Sequence, residues 1–474
     1  MNYQLLPFRF ERFNDKEYLL TNEVGEYIFL QNNEFSRFVD GELDVHGELF
    51  HNIESKQIAT TDKLEDVLSM LAVKFRTKKS VLRNFTTLHM VVPTLRCNSS
   101  CIYCQVARKN YGDRTADMTK KTARNVVKTI FQSPSPYIKI EFQGGEPSTD
   151  FEMVKYLIEA AEWQNLSRRK ELEFVICTNL TLLNQTEVKY LMKHNCLIST
   201  SLDGPKDLHN LNRPLQDSSV DHHAVLEKTI KMIRSIWERK DCISALMTTS
   251  RHSLGHFKDI IDEYVRLGFN SIFLRHLNPY GFAKQNKSAI AYSIEEFIEN
   301  YKDGLNYIIE LNKNGIFLSE GFAALLLRRI LTPFATGFVD LQSPAGVGIS
   351  GVIYDYDGSV YVSDEARMMA RFKNYYFRLG NVNEDNYQKM FNGELLHNII
   401  SNSCTECLPA CVDCVYQPYC GADPVRNMSE QGDIIGFRPT NEMCKKTKSI
   451  MHYLFELLHR NDPEVNSILW SWIN

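Results

Sequence analysis

The segment Cys97-Asn-Ser-Ser-Cys101-Ile-Tyr-Cys104 carries three cysteines in the spacing Cys-x3-Cys-x2-Cys. It follows the apolar run 88–95, which is typical of a buried strand closed by a proline. The loop after such a strand can bring three thiolates to one point, and thiolates bind soft metals or iron–sulfur clusters. Three ligands would leave one iron of a four-iron cluster open to a substrate or cofactor. A zinc knuckle with a distant fourth ligand and accidental clustering are the alternatives.

This spacing, with an aromatic residue before the last cysteine, resembles the radical S-adenosylmethionine (SAM) family. The resemblance implies that Cys97, Cys101 and Cys104 hold a [4Fe-4S] cluster whose fourth iron binds the amino and carboxylate groups of exchangeable SAM. Reductive cleavage of SAM then gives a 5′-deoxyadenosyl radical. Tyr103, beside the cluster, is the implied contact on the adenine side, with ordinary packing as its alternative.

The composition indicates a folded protein without an obvious nucleic-acid or membrane partner. The 474 residues are 43% hydrophobic and 24% charged, and the formal net charge is −4. These values are typical of two to four domains and show no basic footprint for nucleic acid. No apolar run approaches the length of a membrane span, and residues 1–10 lack the features of a signal peptide. We therefore expect a cytoplasmic protein.

Strand-like and helix-like segments alternate from residue 87 to 325, the pattern of βα units around a parallel sheet. The family resemblance implies an α/β fold with a partial (β/α)6 TIM-like barrel in this region. Active groups should then lie in the loops at the C-terminal ends of the strands. The predicted strands are 88–92, 138–142, 173–177, 197–202, 243–248 and 272–274, and the predicted helices are 120–131, 153–163, 188–194, 226–237 and 257–266.

A glycine pair follows the second predicted strand. Gly144 and Gly145 allow the backbone to approach a ligand closely, and Glu146 offers a carboxylate to an ammonium group. In the radical SAM family this Gly-Gly-Glu segment binds the amino group of SAM.

The later strands end in further candidates for SAM binding. Asn179 follows the third strand and is predicted to face the site. By resemblance, Ser201 after the fourth strand contacts SAM. Arg213 meets either the SAM carboxylate or a neighbouring acidic side chain. Residues 278–283 resemble the loop of the family that closes over adenosine.

Residues 1–86 are predicted to form a small α+β domain. Residues 17–31 have the pattern of a hairpin, and residues 64–75 have helical apolar spacing. A short sheet followed by helices resembles the winged-helix domains that recognise precursor peptides in peptide-modifying enzymes. Such a domain would bind a leader peptide by adding a strand to its sheet edge. A structural cap on the barrel is the alternative.

Residues 326–474 are rich in cysteine, and six of the twelve cysteines lie between positions 404 and 444. The hairpin at 352–362 and the cysteines that follow it resemble the SPASM or twitch domain, which holds auxiliary [4Fe-4S] clusters. Four thiolates suffice for one cluster, and a zinc site is the alternative. The resemblance assigns the outer auxiliary cluster to Cys411, Cys414, Cys420 and Cys444.

The chain departs from the two-cluster pattern of that domain. Ser363 and Pro424 stand where the family has cysteines for an inner cluster, so this cluster is predicted to be absent or rebuilt with other ligands. Cys404 and Cys407 either join a second cluster, with Asp423 as an oxygen ligand, or are free thiols. Other cysteines, at 177, 196 and 242, are predicted to be inert core residues.

One residue of this region is a catalytic candidate. Asp364 occupies the position at which sulfatase-maturing relatives carry their proton-accepting aspartate. The loss of the adjacent cysteine weakens that correspondence.

Together these features predict a radical SAM enzyme that modifies a ribosomally made peptide or protein. The segments 7–10, 19–26 and 418–425 resemble the radical SAM maturases of the His-Xaa-Ser repeat system. This resemblance implies a precursor substrate, a partner radical SAM maturase and an electron donor of the flavodoxin or ferredoxin type. A formylglycine-forming sulfatase maturase and a non-catalytic iron–sulfur sensor or scaffold are the alternatives.

Overall fold

The computed structural model describes residues 3–106, 108–278, 280–281, 283 and 286–473. The strands of the N-terminal part are β1 Gln4–Leu5, β2 Phe8–Arg12, β3 Glu17–Asn22, β4 Tyr27–Gln31 and β5 Ala59–Thr60. Its helices are Asn32–Val39, Glu48–Ser55 and Leu64–Lys78. The strands form a three-stranded antiparallel sheet in the order β2-β3-β4 and a separate antiparallel pair of β1 with β5.

This part has an apolar core of its own, which contains Leu20, Leu30, Phe38, Phe50 and Ile53. The core forms because the inward side chains of β3 and β4 meet the apolar faces of the first two helices. The predicted hairpin at 17–31 and the predicted helix at 64–75 are both present, and the helix extends to Lys78.

The central part alternates strands and helices as the sequence predicts. Its strands are β6 Leu88–Val91, β7 Arg96–Cys97, β8 Lys109–Asn110, β9 Tyr137–Phe142, β10 Glu171–Cys177, β11 Cys196–Ser201, β12 Ile243–Leu246, β13 Ser271–Ile272 and β14 Ser319–Glu320. Its helices are Lys120–Ile130, Phe151–Arg168, Gln185–Lys193, Lys206–Asn212, His222–Trp237, Phe257–Arg266, Lys287–Ile290, Ile294–Lys313 and Gly321–Leu331.

Five of the predicted strands form one parallel sheet in the order β12-β11-β10-β9-β6. The sixth, β13, is only two residues long and pairs with β14 instead of β12. One reason is that the backbone N–H of Leu274 donates to the carboxylate of Glu320, at 3.0 Å, rather than to a neighbouring strand. The α/β fold class with a partial parallel barrel is confirmed.

The C-terminal part extends the same sheet. Its strands are β15 Gly351–Tyr354, β16 Ser359–Tyr361 and β17 Arg378–Asn381, and β15 lies parallel to β6. The full sheet therefore has eight strands, in the order β12-β11-β10-β9-β6-β15-β16-β17. The helices of this part are Asp364–Ala370, Tyr387–Phe391, Glu394–Ser401, Pro424–Gln431, Glu442–His459 and Pro463–Ser471.

The pairing of β15 with β6 places the C-terminal part against the open side of the barrel. The helix Asp364–Ala370 starts soon after β16, so its first turn reaches the C-terminal ends of the barrel strands. Position 325, the predicted boundary, lies inside the helix Gly321–Leu331. None of the described helices is both long enough and apolar enough to cross a membrane.

The N-terminal sheet rests directly on the C-terminal cysteine loop. Arg9 donates through Nε to the carbonyl of Val412, at 2.6 Å, and Thr21 donates to the carbonyl of Val415, at 2.8 Å. The hydroxyl of Tyr419 returns a hydrogen bond to the carbonyl of Gly25, at 2.8 Å.

Candidate active site

One cavity is lined by most of the site residues that the sequence predicts for the central part, and by Asp364 of the C-terminal part. It has a volume of about 1170 Å³, part of it open to solvent, and lies at the C-terminal ends of the parallel strands. The loops that follow parallel strands meet at one edge of a sheet, which brings distant sequence positions together. The predicted residues in its wall are Cys97, Cys101, Tyr103, Cys104, Gly144, Gly145, Glu146, Asn179, Ser201, Arg213 and Asp364.

Burial raises the pKa of each of the thiols of Cys97, Cys101 and Cys104, as is expected for thiols that bind a metal cluster. The pKa of Cys101 is raised to about 11. Such thiols ionise only when a positive partner compensates the thiolate charge, as a bound metal does. In the described residues, no group of three or more His, Cys, Asp or Glu side chains could hold a single metal ion.

A buried ion pair between Arg213 and Asp203 packs against the cysteine loop. The Nε atom of Arg213 lies 3.2 Å from Asp203, which is fully buried, and Tyr103 donates its hydroxyl to the same carboxylate. The Arg213 guanidinium lies 5.2 Å from the centre of the Tyr103 ring and 3.9 Å from the sulfur of Cys101. Burial disfavours the charged form of Arg213, but Asp203 and Tyr103 outweigh this effect and raise its pKa.

The partner of Arg213 within the protein is therefore an acidic side chain, one of the two alternatives that the sequence left open. The guanidinium also lines the cavity, so it can still face a ligand.

Glu146 is held by protein donors rather than left free. Its carboxylate accepts hydrogen bonds from Ser148 at 2.6 Å, from the Thr178 hydroxyl at 2.7 Å and from the Asn179 backbone at 2.7 Å. Burial nevertheless raises its pKa. The network ties the loop after β9 to the end of β10, so this carboxylate fixes the Gly144–Gly145 backbone at the cavity.

Asn179 joins that network to the cysteine loop. Its side-chain amide donates to Asn98 and to Ser99, both at 2.9 Å. Short hydrogen bonds thus connect three loops: the loop after β9, the loop after β10, and the cysteine loop that follows β6. Such contacts restrict the mobility of a site before any ligand binds.

The two glycines are required by close backbone contacts. Gly144 has φ +135°, and a Cβ atom there would lie 2.5 Å from the carbonyl oxygen of Thr94. A Cβ atom at Gly145 would overlap the carbonyl oxygens of Leu95 and Arg96. The Gly-Gly pair therefore packs directly against the backbone that leads into Cys97.

We expect Gly145→Ala to displace the cysteine loop. Because the added Cβ atom meets backbone rather than a flexible side chain, the substitution should cost about 1–3 kcal/mol and weaken SAM binding. Equilibrium dialysis with labelled SAM on the reconstituted protein measures the affinity. Gly112→Ala is the matched control, because nothing lies within 4 Å of a Cβ atom there and Gly112, like Gly145, does not have a positive φ. Equal SAM affinity in the two variants would contradict the packing argument.

Sequence reasoning missed part of the cavity wall. Glu141, Arg275 and Met368 line it, although no motif marked them. The alternation of side chains along β9 was the available signal, since Lys139 and Glu141 alternate with the buried residues Ile138, Ile140 and Phe142. Of the loop 278–283, Pro279 and Phe282 lie outside the described residues.

Cys177 was predicted to be an inert core residue, and this prediction is wrong. Its thiol faces the cavity and donates to Glu141 at 3.4 Å. The last residue of β10 points to the barrel interior because side chains alternate along a strand. Cys196 and Cys242 are fully buried, as predicted.

The C-terminal cysteines fall into two groups. Cys420 is under the electrostatic influence of Cys411, Cys414 and Cys444, so the structure brings these four thiols together. Cys404 instead neighbours Cys407, Glu406 and Lys79. The side chains that act on Asp423 are Asp340, Arg426 and Glu430, so Asp423 lies in different surroundings from the pair Cys404 and Cys407.

Cations surround the four-thiol group. Arg438 donates through Nε to the sulfur of Cys411 at 3.2 Å, and its buried Nη2 atom has no partner. Arg329 is buried and donates to the backbone carbonyls of Pro418 and Tyr419, and Cys420 is the acidic group with the largest electrostatic effect on it. Buried cations without carboxylate partners require a nearby anion. An iron–sulfur cluster with four thiolate ligands carries negative charge and fits this group.

Comparison with known proteins gives a family and several relatives. Residues 91–296 match the family model of the radical SAM superfamily. The cysteine-type anaerobic sulfatase-maturating enzyme of Clostridium perfringens (strain 13 / Type A) is 25% identical over 385 residues, covering 76% of this chain and 94% of that protein. The radical SAM cyclopropyl synthase TigE of Paramaledivibacter caminithermalis is 24% identical over 308 residues, covering 61% of this chain and 60% of that protein.

Solved structures show the same fold. Native anSMEcpe with bound AdoMet superimposes with a TM-score of 0.64 at 19% identity, covering 81% of this chain and 99% of that chain. Streptococcus suis SuiB bound to the precursor peptide SuiA superimposes with a TM-score of 0.54 at 14% identity, covering 92% of this chain and 99% of that chain.

Proposed function

We propose that this chain, whose residues 91–296 belong to the radical SAM superfamily, cleaves SAM reductively and modifies a ribosomally made peptide or protein. The observation that carries the proposal is the cavity that brings Cys97, Cys101 and Cys104 together with Glu146, Asn179 and Arg213. We call it the SAM cavity. We further infer a substrate of the His-Xaa-Ser type, as for the maturase HxsB. This inference rests on the segments 7–10, 19–26 and 418–425 of the sequence.

In this proposal Cys97, Cys101 and Cys104 hold a [4Fe-4S] cluster. With SAM bound, that cluster would supply the electron that releases a 5′-deoxyadenosyl radical. The protein positions and shields the reacting groups. Gly144 and Gly145 would present backbone to SAM, Glu146 and Asn179 fix that backbone, and Ser201 and Arg213, which also line the cavity, would contact the cofactor.

The four thiols of Cys411, Cys414, Cys420 and Cys444 are assigned to an auxiliary [4Fe-4S] cluster. The uncompensated cations around them support this assignment. Cys404 and Cys407 lie apart from them and are assigned as free thiols. A flavodoxin- or ferredoxin-type protein would supply the electrons.

The N-terminal domain is proposed to bind the leader of the precursor. Strands β2 and β4 each pair only with β3, so both outer edges of this sheet are unpaired within the described residues. The helix Leu64–Lys78 also exposes Leu68, Met70 and Val73. An unpaired strand edge can bind an extended peptide by adding it as a strand, and exposed apolar side chains can bind its apolar residues. A partner radical SAM maturase would act on the same precursor.

A formylglycine-forming sulfatase maturase is a second candidate. Asp364 lines the SAM cavity. By sequence resemblance it occupies the position at which such enzymes carry a proton acceptor. The Clostridium relative, which has this activity by name, aligns over 94% of its length.

A peptide-dependent turnover assay tests the proposal. The anaerobically reconstituted protein is incubated with SAM, dithionite and either a His-Ala-Ser repeat peptide or a sulfatase-type peptide that contains cysteine. We expect 5′-deoxyadenosine with loss of hydrogen from the repeat peptide. An aldehyde formed only on the cysteine peptide would select the sulfatase reaction, and Asp364→Asn should then reduce its formation. If no 5′-deoxyadenosine forms with any peptide, the enzyme proposal is wrong, and the remaining hypothesis is a non-catalytic iron–sulfur sensor or scaffold.

A further inference from the structure

The segment Cys404-Thr-Glu-Cys407 is a Cys-x2-Cys motif that neither proposed cluster uses. Two cysteines at this spacing are typical of metal sites or of redox-active dithiols. Within the described residues, Cys407 is the only thiol among the groups that act electrostatically on Cys404. The pair therefore offers two thiolates where an iron–sulfur cluster needs four. Cys407 is exposed and Cys404 is partly exposed, so solvent reaches the pair.

The two cysteines are close enough for a disulfide. The backbone N–H of Cys407 donates to the carbonyl of Cys404 at 2.9 Å, which closes a four-residue turn. A turn closed in this way has its first and last Cα atoms within about 7 Å, and a disulfide requires about 4.4–6.8 Å. The S–S bond can therefore form with little movement of the backbone.

Thr405, inside the turn, is held by two other loops. Its backbone N–H donates to the hydroxyl of Ser343 at 2.8 Å, and its hydroxyl accepts a hydrogen bond from the side-chain amide of Gln417 at 2.9 Å. Gln417 lies three residues before Cys420, a proposed ligand of the auxiliary cluster. The turn is thus connected to the loop that holds this cluster.

Glu406, the other residue inside the turn, connects it to the N-terminal part. Its carboxylate forms an ion pair with Lys79 and accepts the hydroxyl of Ser343. Lys79 directly follows the helix Leu64–Lys78 and also donates to the carbonyl of Ser343. These three side chains line a cavity of about 460 Å³ whose wall also contains Cys420. The contacts of the turn therefore join the N-terminal helix to the cluster loop.

We propose that Cys404 and Cys407 form a redox-active dithiol, which closes reversibly to a disulfide by exchange with a small disulfide such as oxidised glutathione. Disulfides in reducing compartments are typically transient and redox-sensing rather than structural. The dithiol lies outside the wall of the SAM cavity, and its oxidation does not depend on SAM cleavage.

The exchange needs no oxidant besides the small disulfide. Cys407, the exposed thiol, attacks one sulfur of that disulfide as its thiolate, which forms a mixed disulfide and releases one thiol. Cys404 then attacks the sulfur of Cys407 and displaces the second thiol. The protons of the two cysteines end on the two released thiols, so the dithiol loses two electrons and the small disulfide gains them.

The contacts of Thr405 and Glu406 favour the disulfide. They hold the turn closed before oxidation, so less conformational entropy is lost when the S–S bond forms. By reciprocity, the disulfide stabilises the same contacts and with them the attachment of the N-terminal helix to the cluster loop. Oxidation of the pair is thereby coupled to the arrangement of these two parts.

Disulfide mapping on the anaerobically reconstituted protein tests the dithiol. The protein is equilibrated in buffers with different ratios of oxidised to reduced glutathione, and free thiols are trapped with N-ethylmaleimide. Proteolytic cleavage after Glu406 separates the two cysteines, so their fragments stay joined only through a disulfide. We expect a disulfide between Cys404 and Cys407 that forms with rising oxidised glutathione and is lost again on reduction. Cys404→Ser should instead leave a mixed disulfide on Cys407.

A matched pair of variants tests the coupling to the N-terminal part. Lys79→Gln removes the ion pair with Glu406, and we expect it to lower the equilibrium constant for disulfide formation about fivefold, as for the loss of one polar contact. Arg83→Gln, at an exposed cation of the same segment, should leave this constant unchanged. Oxidation should also slow hydrogen exchange of the amides at 79–84 in the wild type, and less so in Lys79→Gln.

The contrary outcomes are distinct. Mixed disulfides on both cysteines of the wild type, without a bond between them, would overturn the dithiol. A pair protected from oxidation by additional bound iron would also overturn it, in favour of a further cluster. Equal equilibrium constants in Lys79→Gln and Arg83→Gln would refute the coupling. All these readouts are independent of turnover, so failure of the SAM reaction is a separate result.

Discussion

Replacing Cys97, Cys101 and Cys104 together with alanine is expected to abolish 5′-deoxyadenosine formation and to remove about four irons per chain. The three thiols lie in one loop at the wall of the SAM cavity, and Cys177, the remaining thiol in that wall, cannot replace all three. Without them the cavity can still admit SAM through its glycine backbone but cannot hold the group that reduces it.

Iron and sulfide counts after anaerobic reconstitution, run beside a SAM-cleavage assay, measure both effects. The wild type should contain about eight irons and the triple variant about four, since one auxiliary cluster remains. Cys242→Ala is the matched control and should keep both iron and activity, because this buried thiol does not line the cavity and its charged neighbours are Arg234, Arg239 and Asp241. About twelve irons in the wild type would mean that Cys404 and Cys407 build a further cluster. An unchanged count in the triple variant would refute the assignment.

The second large effect is expected from Asp203→Ala, which should destabilise the folded protein by about 3–5 kcal/mol. Asp203 is fully buried, pairs with Arg213 at 3.2 Å and accepts the hydroxyl of Tyr103. Its removal leaves the guanidinium as a buried charge without a partner, because the remaining neighbours are a thiol and an aromatic ring. The loss should also displace Tyr103 and with it the cysteine loop.

Anaerobic urea unfolding of the reconstituted protein measures the loss. Asp207→Ala removes an exposed acid from the next helix and should cost less than about 1 kcal/mol. The double variant Asp203→Ala/Arg213→Leu should regain part of the stability, because it no longer buries an unpaired charge. Similar unfolding curves for Asp203→Ala and Asp207→Ala would show that the ion pair contributes little.

The local sequence determined the elements of this protein and the chemistry of its centre. Strands β9, β10 and β11 and the helices between them follow from apolar periodicity and caps, which act over a few residues. The spacing of Cys97, Cys101 and Cys104, and the glycine pair after β9, needed no structure to be recognised. Their close approach to the backbone of Thr94 and Arg96 explains why glycine is required there.

Tertiary structure decided which distant residues meet. Leu88 pairs with Gly351, which joins the C-terminal hairpin to the barrel and brings Asp364 to the SAM cavity. No local pattern encodes that pairing, since strands of similar apolar content could pair in several orders. The same holds for Cys177 facing Glu141, for Arg213 pairing with Asp203, and for the separation of Cys404 from Cys420. These contacts join residues that are far apart in the sequence. They form only when whole helices and strands pack together, so no local pattern predicts them.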